Sequence, residues 1–158
     1  MPVGPLRPGF RAVVRKKPRM PYLLAAFVLG ISSGLRTFTA PAVLWLMRHW
    51  GPWAIVLAIL AVSEDAGDLH PKVPPRTGAV GLIARVVSGA FVGWVVGSST
   101  GNSAIAGAIT GAIAAVIGAY GGLAIRLRAI EAIGNVPSGL LEDVVAVGLA
   151  ILVVTRLP

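Results

Sequence analysis

The chain has 158 residues, of which 56% are hydrophobic and only 13% charged, and its mean hydropathy is +0.83. A soluble domain carries roughly a quarter charged residues, and the apolar stretches here are too long for a soluble core, so the composition indicates a membrane protein. The absence of cysteine excludes disulfides, thiolate catalysis and cysteine-ligated zinc.

The chain begins with a basic tail, residues 1–21. Of the fourteen lysines and arginines, six lie in the first nineteen positions: Arg7, Arg11, Arg15, Lys16, Lys17 and Arg19. A basic tail directly before an apolar helix is typical of a positive-inside anchor that is attracted to anionic lipid headgroups. The net charge of +8 is therefore interpreted as a signal for membrane orientation, and no nucleic-acid partner is expected. The apolar run from Tyr22 is too long for a signal peptide, so we expect it to be retained as a helix.

Five apolar segments follow and define a transmembrane domain, residues 22–158. They are 22–47, 52–63, 79–97, 103–124 and 138–155. As helices, the last three reach close to about 30 Å, enough to cross the hydrocarbon core. The first is interrupted by Arg36 and Pro41, and the second is short. The pattern predicts an all-α, polytopic bundle of about five transmembrane helices. It leaves open whether residues 34–63 form two spans or a re-entrant hairpin.

The distribution of positive charge predicts the orientation of this bundle. With five crossings and the N-terminus inside, residues 1–21, 64–78 and 125–137 share the cytoplasmic side and carry ten basic residues. The outer parts carry two, Arg48 and Arg156. Because lysine and arginine concentrate on the cytoplasmic side of membrane proteins, we predict five crossings and a cytoplasmic N-terminus in a bacterial inner membrane.

Small residues recur along three of the segments at a spacing of four. Such rows allow helix backbones to approach closely, which is how helices associate where lipid supplies no hydrophobic drive. The sequence therefore predicts glycine-zipper packing, and we expect a homo-oligomer or a subunit of a larger membrane complex. The predicted packing residues are Gly30, Gly34, Gly81, Gly89, Gly93, Gly97, Gly107, Gly111, Gly118 and Gly122.

Ionisable residues lie in or beside the apolar segments, where each buried ion costs about 2.5–3.5 kcal/mol and therefore pairs with another or faces water. The candidates are Arg36, Glu64, Asp68, Arg85, Arg126, Glu142 and Asp143. We expect most of them at one level near the cytoplasmic side, with Arg36 apart and deeper. Three interpretations stay open. The charges could be structural, with Arg85 or Arg126 neutralising Glu142 or Asp143; they could form a proton- or ion-coupled pathway; or Arg36 and Arg85 could clamp an anion such as a lipid phosphate.

The polar loop 64–77 and the two histidines give little indication of metal or enzyme chemistry. The spacing of its acidic residues and His70 matches no ligand motif, and three prolines favour an extended connector. His49 and His70 flank opposite ends of the second segment, and no nucleophile elbow is present. We predict neither a metal nor a cofactor, and enzymatic activity is not favoured.

Four pieces of the sequence resemble a known family. They are SGLRTFTAPAVL at 33–44, ED-x-x-D-x-x-P-x-x-P-x-R-T at 64–77, AR-x-x-SGA at 84–90 and LED-x-x-A at 141–146. Their types and order are similar to the bacterial "domain of unknown function 4126" membrane proteins. That family often has a lysine where this chain has Leu69. The resemblance implies a multi-spanning fold and no assigned activity. It marks as candidates Arg36, Thr37, Glu64, Asp68, Arg76, Arg85, Glu142 and Asp143.

A shorter similarity concerns Arg36-Thr37-Phe38 before Pro41. It resembles the arginine–threonine motif in a re-entrant element of DedA-type lipid carrier translocases. Together these observations predict a small transporter or permeation protein for an ion or an anionic, lipid-phosphate-like substrate. The alternative is a non-catalytic assembly protein or accessory subunit whose charges only hold the bundle together.

Overall fold

The computed structural model describes residues 20–48, 51–68 and 78–157, with the side chains of 65–68 excepted, and all regular structure in these ranges is helical. The all-α prediction is therefore confirmed for this part of the chain. The six helices are α1 Tyr22–Leu35, α2 Thr39–Arg48, α3 Pro52–Asp68, α4 Ala79–Ser99, α5 Ala104–Ile133 and α6 Asn135–Val154.

Three of these helices are long and apolar enough to cross a membrane. They are α4, α5 and α6, with 21, 30 and 20 residues and a mean hydropathy of 1.8–1.9 over their most apolar windows. The apolar helices in the first half, α1 and the stretch Pro52–Glu64, are shorter. The structure thus supports transmembrane helices, whereas the predicted count of five spans is not confirmed.

Helices α4 and α5 are antiparallel and touch backbone to backbone. A Cβ added at Gly93 would collide with the carbonyl oxygen of Gly107, and one added at Gly89 would collide with that of Gly111. Further along, Gly97 lies against Ser103, at the loop that joins the two helices. Because only glycine leaves room for this approach, the spacing of four residues in both helices determines how they pack.

Helix α1 lies along the same pair and runs parallel to α5. Gly30 is in backbone contact with Gly111, and Gly34 is in backbone contact with Gly118. Residue numbers therefore increase in the same direction along both helices. The start of α1 consequently lies at the end of the bundle where α4 meets α5.

The first apolar segment is divided after α1. Arg36 is extended, with φ −137° and ψ 120°, and a new helix begins at Thr39. Pro41 explains part of this break, because in a continuous helix its missing N–H would leave the carbonyl of Thr37 without a donor. The hydroxyl of Ser88, on α4, donates to that carbonyl instead. Proline is tolerated in the first turn of the new helix, where its N–H would have no intrahelical partner.

Helix α2 turns back along α1. Thr37 bonds to Ser88, and Trp45 stacks on Phe91, with ring centroids 5.5 Å apart, so α2 runs in the direction of α4. Leu44 belongs to the same buried cluster as Leu29 of α1 and as residues 153, 154 and 157, which lie at and just beyond the end of α6. The segment 22–47, predicted as one span with a possible kink, is therefore a helical hairpin. Its tip is residues 36–38.

Helix α3 runs from the base of this hairpin to the far side of the bundle. Its residue Glu64 bonds to Thr37, so α2 and α3 are antiparallel neighbours. Among the described helices, α3 packs against α2 alone. The sequence left open whether residues 34–63 form two spans or a re-entrant hairpin. In the structure the chain reverses direction twice in this region, once between α1 and α2 and once between α2 and α3.

The bundle has two ends. The terminal end holds the start of α1, the end of α2, the α4–α5 loop and the end of α6; the opposite end holds the end of α3, the start of α4 and the α5–α6 junction. The chain therefore enters α1 at one end, while residues 64–68 and 125–137 lie towards the other. The predicted five crossings, which would put Pro21 at the same end as residues 64–68 and 125–137, are therefore not confirmed. The cause is the hairpin, which returns the chain to the end of the bundle where α1 begins. Eight of the ten basic residues counted for the cytoplasmic side lie in 1–19 and 69–77, outside the described residues.

Candidate functional site

The hairpin tip is held by charged side chains from three other helices. We call Arg36, Thr37, Glu64, Arg85, Ser88 and Asp143 the tip cluster. Arg36, Thr37 and Arg85 are each at most 5% exposed. In a bilayer, backbone that leaves the helical ladder is tolerated where it is buried in protein or lines a cavity. The cluster satisfies this condition by surrounding the tip with polar partners.

The carboxylate of Glu64 accepts four hydrogen bonds at the tip. Thr37 donates from its backbone N–H at 3.0 Å and its hydroxyl at 2.9 Å, and Phe38 donates its backbone N–H at 3.2 Å. Arg85 Nη2 adds a charged donor at 3.3 Å from Oε1. The free N–H groups and positive dipole end of α2 thus meet an anion supplied by α3. Arg85 also donates to the carbonyl of Gly81, which holds its guanidinium against the first turn of α4.

Arg36, on the other side of the tip, pairs with Asp143 of α6. The arginine side chain is 3% exposed and the aspartate 24%. Contrary to the expectation, Arg36 therefore does not stand apart from the other charged residues. Because α6 runs antiparallel to α1, its first turns bring Asp143 to the level where α1 ends. Ser32, one turn before the break, donates to the carbonyl of Ala146 and fixes this register.

A second charged site lies between α5 and α6. Arg126 Nη1 is 3.2 Å from Glu142 Oε2, and both side chains are less than a tenth exposed. Arg126 Nη2 also donates to Asn135 Oδ1 at 3.2 Å. The tight junction at Gly134, with φ 86°, makes this possible, because a left-handed residue reverses the chain at once and returns Asn135 towards the arginine. We call Arg126, Asn135 and Glu142 the α5–α6 site.

Two apolar grooves lie beside these charges. The larger, about 370 Å³, runs between α1, α5 and α6, and Arg126 and Glu142 are among its lining residues. The other, about 300 Å³, lies between α2, α3 and α4; we call it the α2–α4 groove. Its lining includes Thr37, Phe38, Pro41, Leu57, Ser88 and Phe91. Each charged site is thus adjacent to an apolar cleft at the protein surface.

The structure brings together most of the residues that the sequence singled out. Arg36, Thr37, Glu64, Arg85 and Asp143 meet at the tip, and Arg126 meets Glu142 between α5 and α6. Of the pairings considered, Arg126 with Glu142 is present, whereas Arg85 pairs with Glu64. The side chain of Asp68 and all of Arg76 lie outside the described residues.

Ser88, Ser33 and Asn135 are polar residues of these sites that sequence reasoning missed. Ser88 bonds to both the hairpin tip and Ser33, and Asn135 bonds to Arg126. A signal was available for Ser88, which follows Arg85 by three residues and so lies on the same face of α4. Within the described residues, no three acidic, histidine or cysteine side chains are grouped as a metal site would require.

Of the predicted packing glycines, nine lie where an added Cβ would meet a neighbouring element closely; they are Gly30, Gly34, Gly89, Gly93, Gly97, Gly107, Gly111, Gly118 and Gly122. At Gly122 the neighbour is a side chain, that of Leu35, and not backbone. The tenth, Gly81, is half-buried and contributes its carbonyl to Arg85.

No protein-family model matches this chain, and comparisons with curated proteins and with solved structures gave no match. The family resemblance in the sequence therefore stays a prediction, and a function has to be inferred from the geometry of the two charged sites.

Proposed function

We propose that the chain is an integral membrane protein that conducts or transports a small anionic substrate past the hairpin tip. The observation that carries this proposal is the convergence of anion-binding groups on a broken helix. The N–H groups of Thr37 and Phe38 just before α2, the hydroxyl of Thr37 and the guanidinium of Arg85 all donate to one carboxylate. Broken helices whose N-terminal ends meet anionic groups are a recurring feature of substrate sites in membrane transporters.

The surroundings of the tip favour an amphiphilic anion. A fully hydrated ion would have no wide aqueous path here, because the α2–α4 groove is lined mainly by apolar side chains such as Leu57 and Phe91. A substrate with a phosphate or carboxylate head and an apolar body matches such a groove with a charged site beside it. This agrees with the similarity of Arg36-Thr37-Phe38 to the motif of lipid carrier translocases.

The location and partners of the protein are part of the same proposal. We place it in a bacterial inner membrane, with anionic lipids at the basic tail, as a homo-oligomer or a subunit of a complex. In this proposal the α1–α2 hairpin does not cross the membrane, so both ends of the described chain lie on one side. Because most arginines and lysines precede or lie near that terminal end, the proposal places it in the cytoplasm.

A second function is favoured by the pairing of the charges. Glu64, Glu142 and Asp143 each face an arginine, as a purely structural network would require. The chain would then be an assembly protein or accessory subunit. The apolar surface of α3, where Trp53 and Val62 are both 69% exposed, would be available to another membrane helix.

Flux measurements in liposomes separate the two functions. The purified protein is tested for movement of protons, inorganic phosphate and a short-chain phosphatidic acid. We expect Arg85→Ala and Glu142→Gln to lower the relevant flux at least about tenfold, the effect of losing about 1.4 kcal/mol of interaction. The matched control is Arg128→Ala, which removes an exposed charge from the same helix as Arg126. If both variants fold and neither changes any flux, the transport proposal is wrong and the assembly role is favoured.

A further inference from the structure

Helix α3 is the helix least attached to the bundle. Among the described helices it packs against α2 alone, and of its described side chains only Ala54 is buried. Ile59, near its middle, and Val62, in its second half, are 62% and 69% exposed. A helix with so few packed side chains is the element that separates from a structure at the lowest free-energy cost.

The far end of α3 is fastened by a carboxylate. Glu64 lies in the last third of the helix, and its oxygens accept from Thr37, Phe38 and Arg85. These donors belong to the hairpin tip and to α4, which α3 does not otherwise pack against. Glu64 therefore connects a loosely packed helix to two well-packed ones. Charge-assisted hydrogen bonds of this kind are roughly twice as strong as neutral ones, and they are lost together when the carboxylate leaves.

The α2–α4 groove is adjacent to this attachment, because Thr37 and Phe38, which donate to Glu64, also line the groove. Leu57 of α3 is among its lining residues, and on the inner side it reaches the buried Thr37 and Ser88. Movement of α3 away from α4 removes one wall of the groove. It also takes Glu64 away from the donors at the tip, which leaves Thr37 and Arg85 accessible to another anion.

We propose that α3 is a movable strap, held in place by Glu64, whose release widens the α2–α4 groove and frees the hydrogen-bond donors of the hairpin tip for an anion bound there. This inference rests on the proposed function and describes how its site is regulated. While Glu64 is bound at the tip, its carboxylate occupies the hydrogen-bond donors that the substrate anion uses. In the released state, the groove admits the substrate and the hairpin remains in place, because Arg36 still binds Asp143 and α1 still packs on α4 and α5.

Distances between spin labels measure the strap directly. The chain lacks cysteine, so labels are placed on exposed positions by Val62→Cys on α3 and Ile125→Cys on α5. The reference pair, Val80→Cys with Ile125→Cys, joins α4 to α5 and omits α3. We expect Glu64→Ala to shift or broaden the distance between the labels at positions 62 and 125 by more than the ~1–2 Å of ordinary helix adjustment. The reference distance, between positions 80 and 125, should stay unchanged. Glu131→Ala, which removes an exposed carboxylate, is the matched control.

Identical distance distributions in the Glu64→Ala and Glu131→Ala proteins would overturn the strap. If Glu64→Ala does not fold, Glu64→Gln tests the same point, because it keeps the shape and removes the charge. Thr37→Val removes the hydroxyl that donates to Glu64 and leaves the Glu64–Arg85 ion pair. This variant must then also broaden the distance between positions 62 and 125, and an unchanged distance contradicts the proposal. The distances report the strap whether or not any flux is found, so failure of the transport proposal is recognised separately.

Discussion

The two halves of this molecule are held together by different physics. Helices α4 and α5, with α1 against them, approach through glycines and leave no space between backbones. The hairpin tip, α3 and the start of α6 are joined mainly by arginine–carboxylate pairs and hydrogen bonds to a broken backbone. The stability of the first region depends on close packing of the backbones, and that of the second on attraction between opposite charges. The comparison suggests a rigid frame that supports a more adjustable polar site.

The largest effect is expected from breaking a buried ion pair. Arg126→Ala leaves the carboxylate of Glu142 buried without its cation, and removing one partner of such a pair costs about 3–5 kcal/mol. The free energy of unfolding, measured with SDS in mixed micelles, should fall by that amount. Arg128→Ala, at an exposed position, should change it by less than about 0.5 kcal/mol.

The double variant Arg126→Ala with Glu142→Ala sharpens this test. It removes both charges, so a substantial part of the lost stability should return. A double variant that is as unstable as the sum of the two single variants would show that charge pairing is not what stabilises the α5–α6 site.

A smaller effect is expected in the glycine-packed frame. Gly93→Ala introduces a methyl group that collides with the carbonyl of Gly107, and overpacking of this kind costs about 1–3 kcal/mol. Gly121→Ala is the control, because an added Cβ there meets nothing within 4 Å. The same unfolding assay should separate the two. Equal stabilities would mean that close backbone contact between α4 and α5 does not stabilise the protein.

The contrast also explains which parts of the structure the sequence could predict. Apolar runs predicted the helices after residue 79, and glycine spacing marked the faces that meet, because both signals lie within one helix. The charged candidates stood out for the same reason, since a charge inside an apolar run is visible locally. The pairing of each carboxylate with a particular arginine, in contrast, depends on how the helices are arranged.

The hairpin could not be predicted from the segment that forms it. Residues 22–47 are apolar whether the chain kinks or turns back, and Pro41 is compatible with both. The contacts that stabilise the turn come from distant residues. Ser88 satisfies the carbonyl of Thr37 across 51 positions, and Glu64 caps α2 across 27. An error at this one break changes which later segments are assigned to the same side as the N-terminus, and thus the whole charge asymmetry.

Single-cysteine labelling tests the re-entrant hairpin most directly. Pro21→Cys, Asn102→Cys and Glu131→Cys place thiols at exposed positions before α1, in the α4–α5 loop and near the end of α5. Each variant is treated with a membrane-impermeant maleimide in intact and in lysed cells. The hairpin predicts that positions 21 and 102 are labelled from the same side and position 131 from the other. Labelling of 21 together with 131, opposite to 102, would contradict the hairpin and favour five crossings.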